Sequence, residues 1–214
     1  MGALKFIGKD DWNGNKNTCA YLETESKLTI IDCGYTVFNE IKDKFDFRKF
    51  VKIDIIITSL GDNHVGSLSR LLQYLWYNYK RRATVICKCK HIKEYLDITG
   101  TPEETYVLKQ KTVDVFLFPS EYRTNLDTYG LRLKIDKKYI LYTGETNKIE
   151  TFLAYVREID ELYIDISRYG KGHLKIDEMY GILEIIKSYG IEVHLMNFDD
   201  EEYIKKATKG KFYM

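Results

Sequence analysis

The chain has 214 residues, 44% apolar and 30% charged with only 2 prolines, which excludes a disordered or low-complexity assembly. Lys and Arg number 33 against 32 Asp and Glu, a formal charge of +1, so the basic excess of a generic nucleic-acid binder is missing. That length fits a single domain over residues 1–214 with a two-sided core.

In chain order, Leu4–Gly8, Thr18–Glu23 and Lys27–Cys33 read as short strands separated by polar turns, one of them marked by Asn13-Gly14-Asn15. Phe38–Phe45 reads as a short helix. Ile53–Thr58 is a β-branched run of the kind a strand buried on both faces requires. His64–Tyr77 carries Val65, Leu68, Leu72 and Leu75 at helical spacing, with Asp62 and Asn63 ahead of it as N-cap candidates. Ala83–Cys87 is a strand and His91–Leu96 a helix. Val113–Phe118, Thr128–Ile135, Tyr139–Tyr142 and Leu162–Ile166 are strands, with a hairpin at Asp136-Lys137-Lys138. Ile176–Lys187 is a helix with Ile176, Met179, Leu183 and Ile186 on one face, ended by Gly190. Glu192–Met196 is a last strand and Glu201–Ala207 a last helix. Both halves begin in strands and end in strand–helix alternation. Two sheets face to face with helices outside bury such a pattern, an α/β class of αββα type.

The start, Met1 to Phe6, lacks the basic-then-apolar order of a secretory leader. Phe6 stands where a myristoylation signal needs Ser or Thr. No apolar run approaches the roughly 18 residues of a membrane span. Cys87 and Cys89 are too closely spaced for a zinc knuckle, and with Cys19 and Cys33 they read as free thiols in a reducing compartment. The expectation is a cytoplasmic protein without a membrane partner.

The segment from Ile57 to Leu68, Ile-Thr-Ser-Leu-Gly-Asp-Asn-His-Val-Gly-Ser-Leu, sits at a strand-to-helix junction. It resembles the metallo-β-lactamase superfamily signature, Thr-His-x-His-x-Asp-His followed by a helix. Ile30-Ile31-Asp32-Cys33-Gly34 resembles that family's early Asp-x-Gly strand end. Tyr129-Gly130, Tyr142-Thr143-Gly144-Glu145-Thr146 and Leu195-Met196-Asn197-Phe198 resemble its later motifs in order. The resemblance implies a four-layer αββα sandwich over nearly the whole chain. Within the superfamily, the short length and Asp-Cys-Gly suggest the ribonuclease Z-like and cyclic-nucleotide phosphodiesterase branch.

In that family two zinc ions held by imidazoles and carboxylates activate a hydroxide. Against the motif, Ser59 and Gly61 stand where His belongs, Asn63 replaces Asp, and His64 alone survives. Tyr122 and Arg123 are the nearest candidates for the next His. Glu145 stands for the bridging Asp and Asn197 for the closing His. The expectation is loss of the dinuclear zinc and no metal cofactor. His194 lies at an odd offset from Asn197, which turns it to the opposite sheet face as a structural residue.

Ser59, Asp62 and His64 share letters with a hydrolase triad, but they crowd one short loop, and turn and cap roles fit them better. His64 with Glu145 is the candidate acid–base pair, against a Glu that bonds loop amides. The loop Arg168-Tyr169-Gly170-Lys171-Gly172-His173 combines glycine-flanked amides with Lys171 and His173, a composition that suits a phosphate and a solvated loop equally. Lys80-Arg81-Arg82 reads as a solvated turn. Tyrosine, at 18 residues, serves core edges or base stacking alike.

These readings converge on a catalytically inactive relative that binds a phosphorylated small molecule or nucleotide. The ligand-binding candidates are Ser59, Asp62, Asn63, His64, Tyr122, Arg123, Glu145, Lys171, His173 and Asn197. Two alternatives stand beside it: a hydrolase working without metal or with one ion on His64 and Glu145, and a partner-binding protein with a closed pocket. A homodimer is compatible with the sequence.

Overall fold

The computed structural model describes residues 2–10, 15–122, 126–170 and 172–214. The glycine turn expected at Asn13-Gly14 lies outside them. The chain divides into two compact units, Ala3–Thr112 and Val113–Met214, with Gly2 grouped with the second.

The first unit is built on strands β1 (Lys5–Gly8), β2 (Cys19–Glu23), β3 (Lys27–Ile31), β4 (Lys52–Ile57), β5 (Ala83–Cys87) and β6 (Tyr106–Lys109). They form one six-stranded sheet in sequential order. The first three are antiparallel, and β3 to β6 run parallel. Helices α1 (Val37–Lys44), α2 (Asp62–Val65), α3 (Leu68–Tyr79) and α4 (Ile92–Ile98) fill the connections. Parallel pairing explains the isoleucine run of β4: a strand flanked by crossovers on both faces has no polar side, and Ile53 to Ile57 are all buried. Leu68, Leu71, Leu72 and Leu75 form the buried face of α3, and Lys80 ends it in the left-handed region at φ 54°.

The second unit repeats this plan. Strands β7 (Val115–Ser120), β8 (Thr128–Ile135) and β9 (Lys138–Tyr142) are antiparallel. Strands β10 (Glu161–Asp165) and β11 (Glu192–Met196) then add in parallel, giving the order β11-β10-β9-β8-β7. Helices α5 (Glu150–Val156), α6 (Ile176–Ser188) and α7 (Glu201–Ala207) accompany them. Ile176, Met179, Leu183 and Ile186 of α6 join Leu162, Ile164, Val193 and Leu195 in the core. Gly190 follows α6 at φ 83°, as the sequence predicts.

Three features depart from expectation. The helix expected over His64–Tyr77 is two helices, because Ser67 bonds elsewhere: its N–H donates to Cys33 O at 3.0 Å and its hydroxyl to Gly34 O at 2.6 Å. Asp62 and Asn63 are not caps. Gly61 holds the N-cap position of α2, and Asp62 is already in the first turn. Strand β6 and helix α5 have no counterpart in the sequence reading, since four and seven residues are too few to show a period. Among the described residues no helix is long and apolar enough to cross a membrane.

Gly34 is where the end of β3 meets α2. A β-carbon there would lie 2.1 Å from the backbone oxygen of Asn63, which cannot swing away. Gly34→Ala is therefore expected to cost about 1–3 kcal/mol, the usual penalty of overpacking, read as a lower denaturation midpoint in urea. An unchanged midpoint would mean that the 62–66 segment shifts freely.

Candidate functional site

In the first unit the strand ends of β3 and β4 are tied through Asp32. This residue takes a left-handed φ of 63°, a conformation that Asp tolerates better than most, and its side chain is buried. Its carboxylate accepts the Thr58 N–H at 2.8 Å and the Thr58 hydroxyl at 2.9 and 2.7 Å. His64 presents Nδ1 to the same carboxylate at 3.0 Å. The backbone closes the loop, with the Cys33 N–H on His64 O at 2.6 Å. Ser59 turns the other way, its hydroxyl accepting the Gly61 N–H at 3.3 Å. Ser59 is thus a turn residue, and the hydrogen-bonded partner of His64 is Asp32, which the sequence reading placed in a motif but gave no role.

The second unit carries a denser centre. Asp165 ends β10 with its side chain fully buried. One carboxylate oxygen accepts from Asn197 Nδ2 at 3.0 Å. The other lies 2.6 Å from His173 Nδ1 and accepts the Thr146 N–H at 3.3 Å. Asp165 also anchors its own backbone, its N–H donating to Thr143 Oγ1 at 3.1 Å. Nε2 of His173 is 3.2 Å from the Tyr122 hydroxyl, and the two rings are in tilted contact at 5.0 Å between centroids. Three expected residues, Tyr122, His173 and Asn197, are therefore brought together by one unexpected one, Asp165. The signal was present: a carboxylate closing the apolar strand Glu161–Asp165 has to be paired.

The loop before His173 is less open than its glycines suggested. Asp199 accepts the N–H groups of Arg168 at 2.8 Å and Tyr169 at 3.2 Å, and the Gly170 N–H goes to Ser167 Oγ at 2.8 Å. These amides hold an internal carboxylate instead of an exchangeable anion. Arg168 itself pairs with Asp200 at 2.6 Å. Arg123 and Lys171 lie outside the described residues. Glu145 is buried in the turn after β9, where its carbonyl accepts the Ser120 hydroxyl at 3.0 Å. Gly144 beside it has φ 62°, and a β-carbon there would meet Tyr129 O at 2.3 Å, so this turn admits only glycine. His194 is stacked between Tyr163 and Tyr213 at 4.4 and 4.8 Å. Lys80 caps α3, and Arg81 and Arg82 donate to the carbonyls of Arg48 and Tyr106.

Structural comparison places these centres in a known fold. The chain superposes on YhfI of Bacillus subtilis, a metallo-β-lactamase-fold protein, with a TM-score of 0.77 over 98% of this chain and 92% of that one, at 14% identity. The chain has the metallo-β-lactamase fold. Human tRNase Z, short form, gives 0.68 over 91% and 92% at 14% identity, and a diphosphatase of the PhnP family gives 0.68 over 91% and 86% at 13%. No protein-family model and no curated protein matches the sequence. For this metallo-β-lactamase fold the donor chemistry is notable. Among the described residues no three His, Cys, Asp or Glu side chains come together as a metal ion would need.

The four cysteines are buried and form no disulfide. Burial pushes the Cys33 thiol up to about 12, and Asp32 adds to the shift while the Ser67 hydrogen bond opposes it. The unfolded thiol ionises near 9.0, so the native state holds this proton more tightly. Its contribution to stability is complete below pH 9.0 and is lost as pH rises from there toward about 12. The melting temperature is expected to fall between pH 8 and pH 10.5, and iodoacetamide at pH 8 to label the cysteines only after unfolding. Rapid native labelling of Cys33 would contradict its burial.

Asp32 supplies a second check. Asp32→Ala strands His64 and Thr58 without their shared acceptor, and a loss of roughly 3–5 kcal/mol is expected in chemical denaturation. Asp32→Asn keeps an acceptor and the tolerance of positive φ, so it should fall between the two.

Proposed function

We propose that this protein binds a phosphate-bearing small molecule, a nucleotide being the leading class, at the Asp165–His173–Tyr122 centre, without zinc and without turnover. The observation that carries this reading is the 2.6 Å contact between His173 Nδ1 and Asp165. A buried carboxylate on Nδ1 fixes the ring orientation, which leaves Nε2 as the nitrogen turned toward a ligand in exchange for the Tyr122 hydroxyl. Asn197 and the Thr146 amide hold the Asp165 carboxyl in place beside the imidazole. A protonated imidazole of this kind is a charge-assisted donor to a phosphate oxygen.

The absence of turnover is inferred from the donor set. Ser59 and Gly61 offer no imidazole, and Asn197 spends its amide on Asp165. Among the described residues, those present do not fit a dinuclear zinc centre. The neighbours named as a tRNase and a diphosphatase support a phosphate-bearing ligand class for this scaffold.

Calorimetry against nucleotides and inorganic phosphate tests the reading. Binding is expected in the micromolar to millimolar range, weakened about ten- to a hundredfold by His173→Ala, which removes one hydrogen bond to a charged group. The same samples should show less than one equivalent of metal by elemental analysis. A chelator should leave the melting temperature unchanged, since a metal-tied fold loses stability when stripped. Cleavage of the nucleotide that disappears in His173→Ala would replace this reading with a metal-independent phosphodiesterase. No binding at millimolar concentration would leave a pocket closed to ligands.

A further inference from the structure

His173 has two ring nitrogens and each faces an oxygen. Nδ1 is fixed by Asp165 at 2.6 Å, and the Tyr122 hydroxyl stands 3.2 Å from Nε2. The imidazole side chain is only 8% exposed. Tyr122 is half-buried two residues after the end of β7, with its ring tilted onto the imidazole. Resting on the reading of His173 as the ligand-binding imidazole, we infer that Tyr122 is an internal plug: its hydroxyl occupies the position that the ligand's phosphate oxygen takes, and binding displaces it.

The inference follows from the geometry of a single nitrogen. Nε2 carries one in-plane site, either a lone pair or an N–H. A phosphate oxygen bound there sits within about 2.7–3.2 Å of the nitrogen along that direction. The phenolic oxygen is already at that distance. Two oxygens cannot share one linear hydrogen bond, so one has to leave. A hydroxyl suits the resting state, because it donates to a neutral imidazole and accepts from a protonated one. A phosphate suits the bound state, because its charge makes the stronger bond to an imidazolium. The plug also explains why the His173–Asp165 pair is covered in the free protein: the site is closed by a neutral phenol until an anion outcompetes it. A site that is closed most of the time binds with an affinity reduced by its open fraction.

Tyr122→Phe removes the hydroxyl and keeps the ring against His173. With inorganic phosphate as the probe, calorimetry at pH 6 is expected to show about three- to tenfold tighter binding than in the wild type, the scale of one neutral hydrogen bond that no longer has to be broken. Tyr122→Leu, which also lacks the hydroxyl, should shift affinity the same way and serves if the Phe variant is unstable. Equal or weaker phosphate binding in both variants, while His173→Ala weakens binding about ten- to a hundredfold, would show Tyr122 to be a bystander or a ligand and overturn the plug alone. Phosphate binding as tight in His173→Ala as in the wild type, or no phosphate binding by any of these proteins, would overturn the site together with the plug.

Discussion

A carboxylate buried at the end of a parallel strand has to find partners, and in this protein that requirement arranges both candidate centres. Asp165 closes β10 with no exposure, so an ionised form survives only if donors surround it. It takes them from three separate elements: the turn after β9, the loop before α6 and the end of β11. Those elements are thereby placed to within hydrogen-bond length of one another. Removing the aspartate would leave His173, Asn197 and Thr146 without their common anchor.

The first unit solves the same problem with different letters. Asp32 closes the loop after β3 and takes Thr58 and His64. Its left-handed φ and that of Asn197 have one cause: the chain must reverse sharply as it leaves a strand, and Asp and Asn accept that conformation at lower cost than other side chains. In each unit an antiparallel meander gives way to parallel strands joined by helices. The polar groups collect at the carboxyl ends of those parallel strands, beside the loops that lead into helices.

The consequence for chemistry is that each unit satisfies these polar groups from within. In the second unit Asp199 takes the amides of Arg168 and Tyr169 and Tyr122 meets His173, and in the first Asp32 holds His64. Such a network rigidifies loops, because every buried polar atom that it ties would otherwise cost free energy.

Much of the fold was legible in the sequence because its signals are local. The isoleucines of β4, the leucines of α3 and the apolar face of α6 follow from periodicity, and the ordered motifs from Asp32 to Asn197 named the fold that superposition shows. His173, Tyr122 and Asn197 were recognisable as site candidates from their motif positions and from the basic loop. Their mutual arrangement was not, because Asp165 touches residues 8, 19 and 32 positions away and nothing local marks which buried acid will meet which imidazole. For the same reason composition left the amides around Gly170 open to an anion or to solvent, while the tertiary structure gives those of Arg168 and Tyr169 to Asp199 and that of Gly170 to Ser167. Periodicity decides which face of an element is buried. Only the closed fold decides which polar groups share the burial, since that pairing depends on strand order and loop reach, and a linear pattern encodes neither.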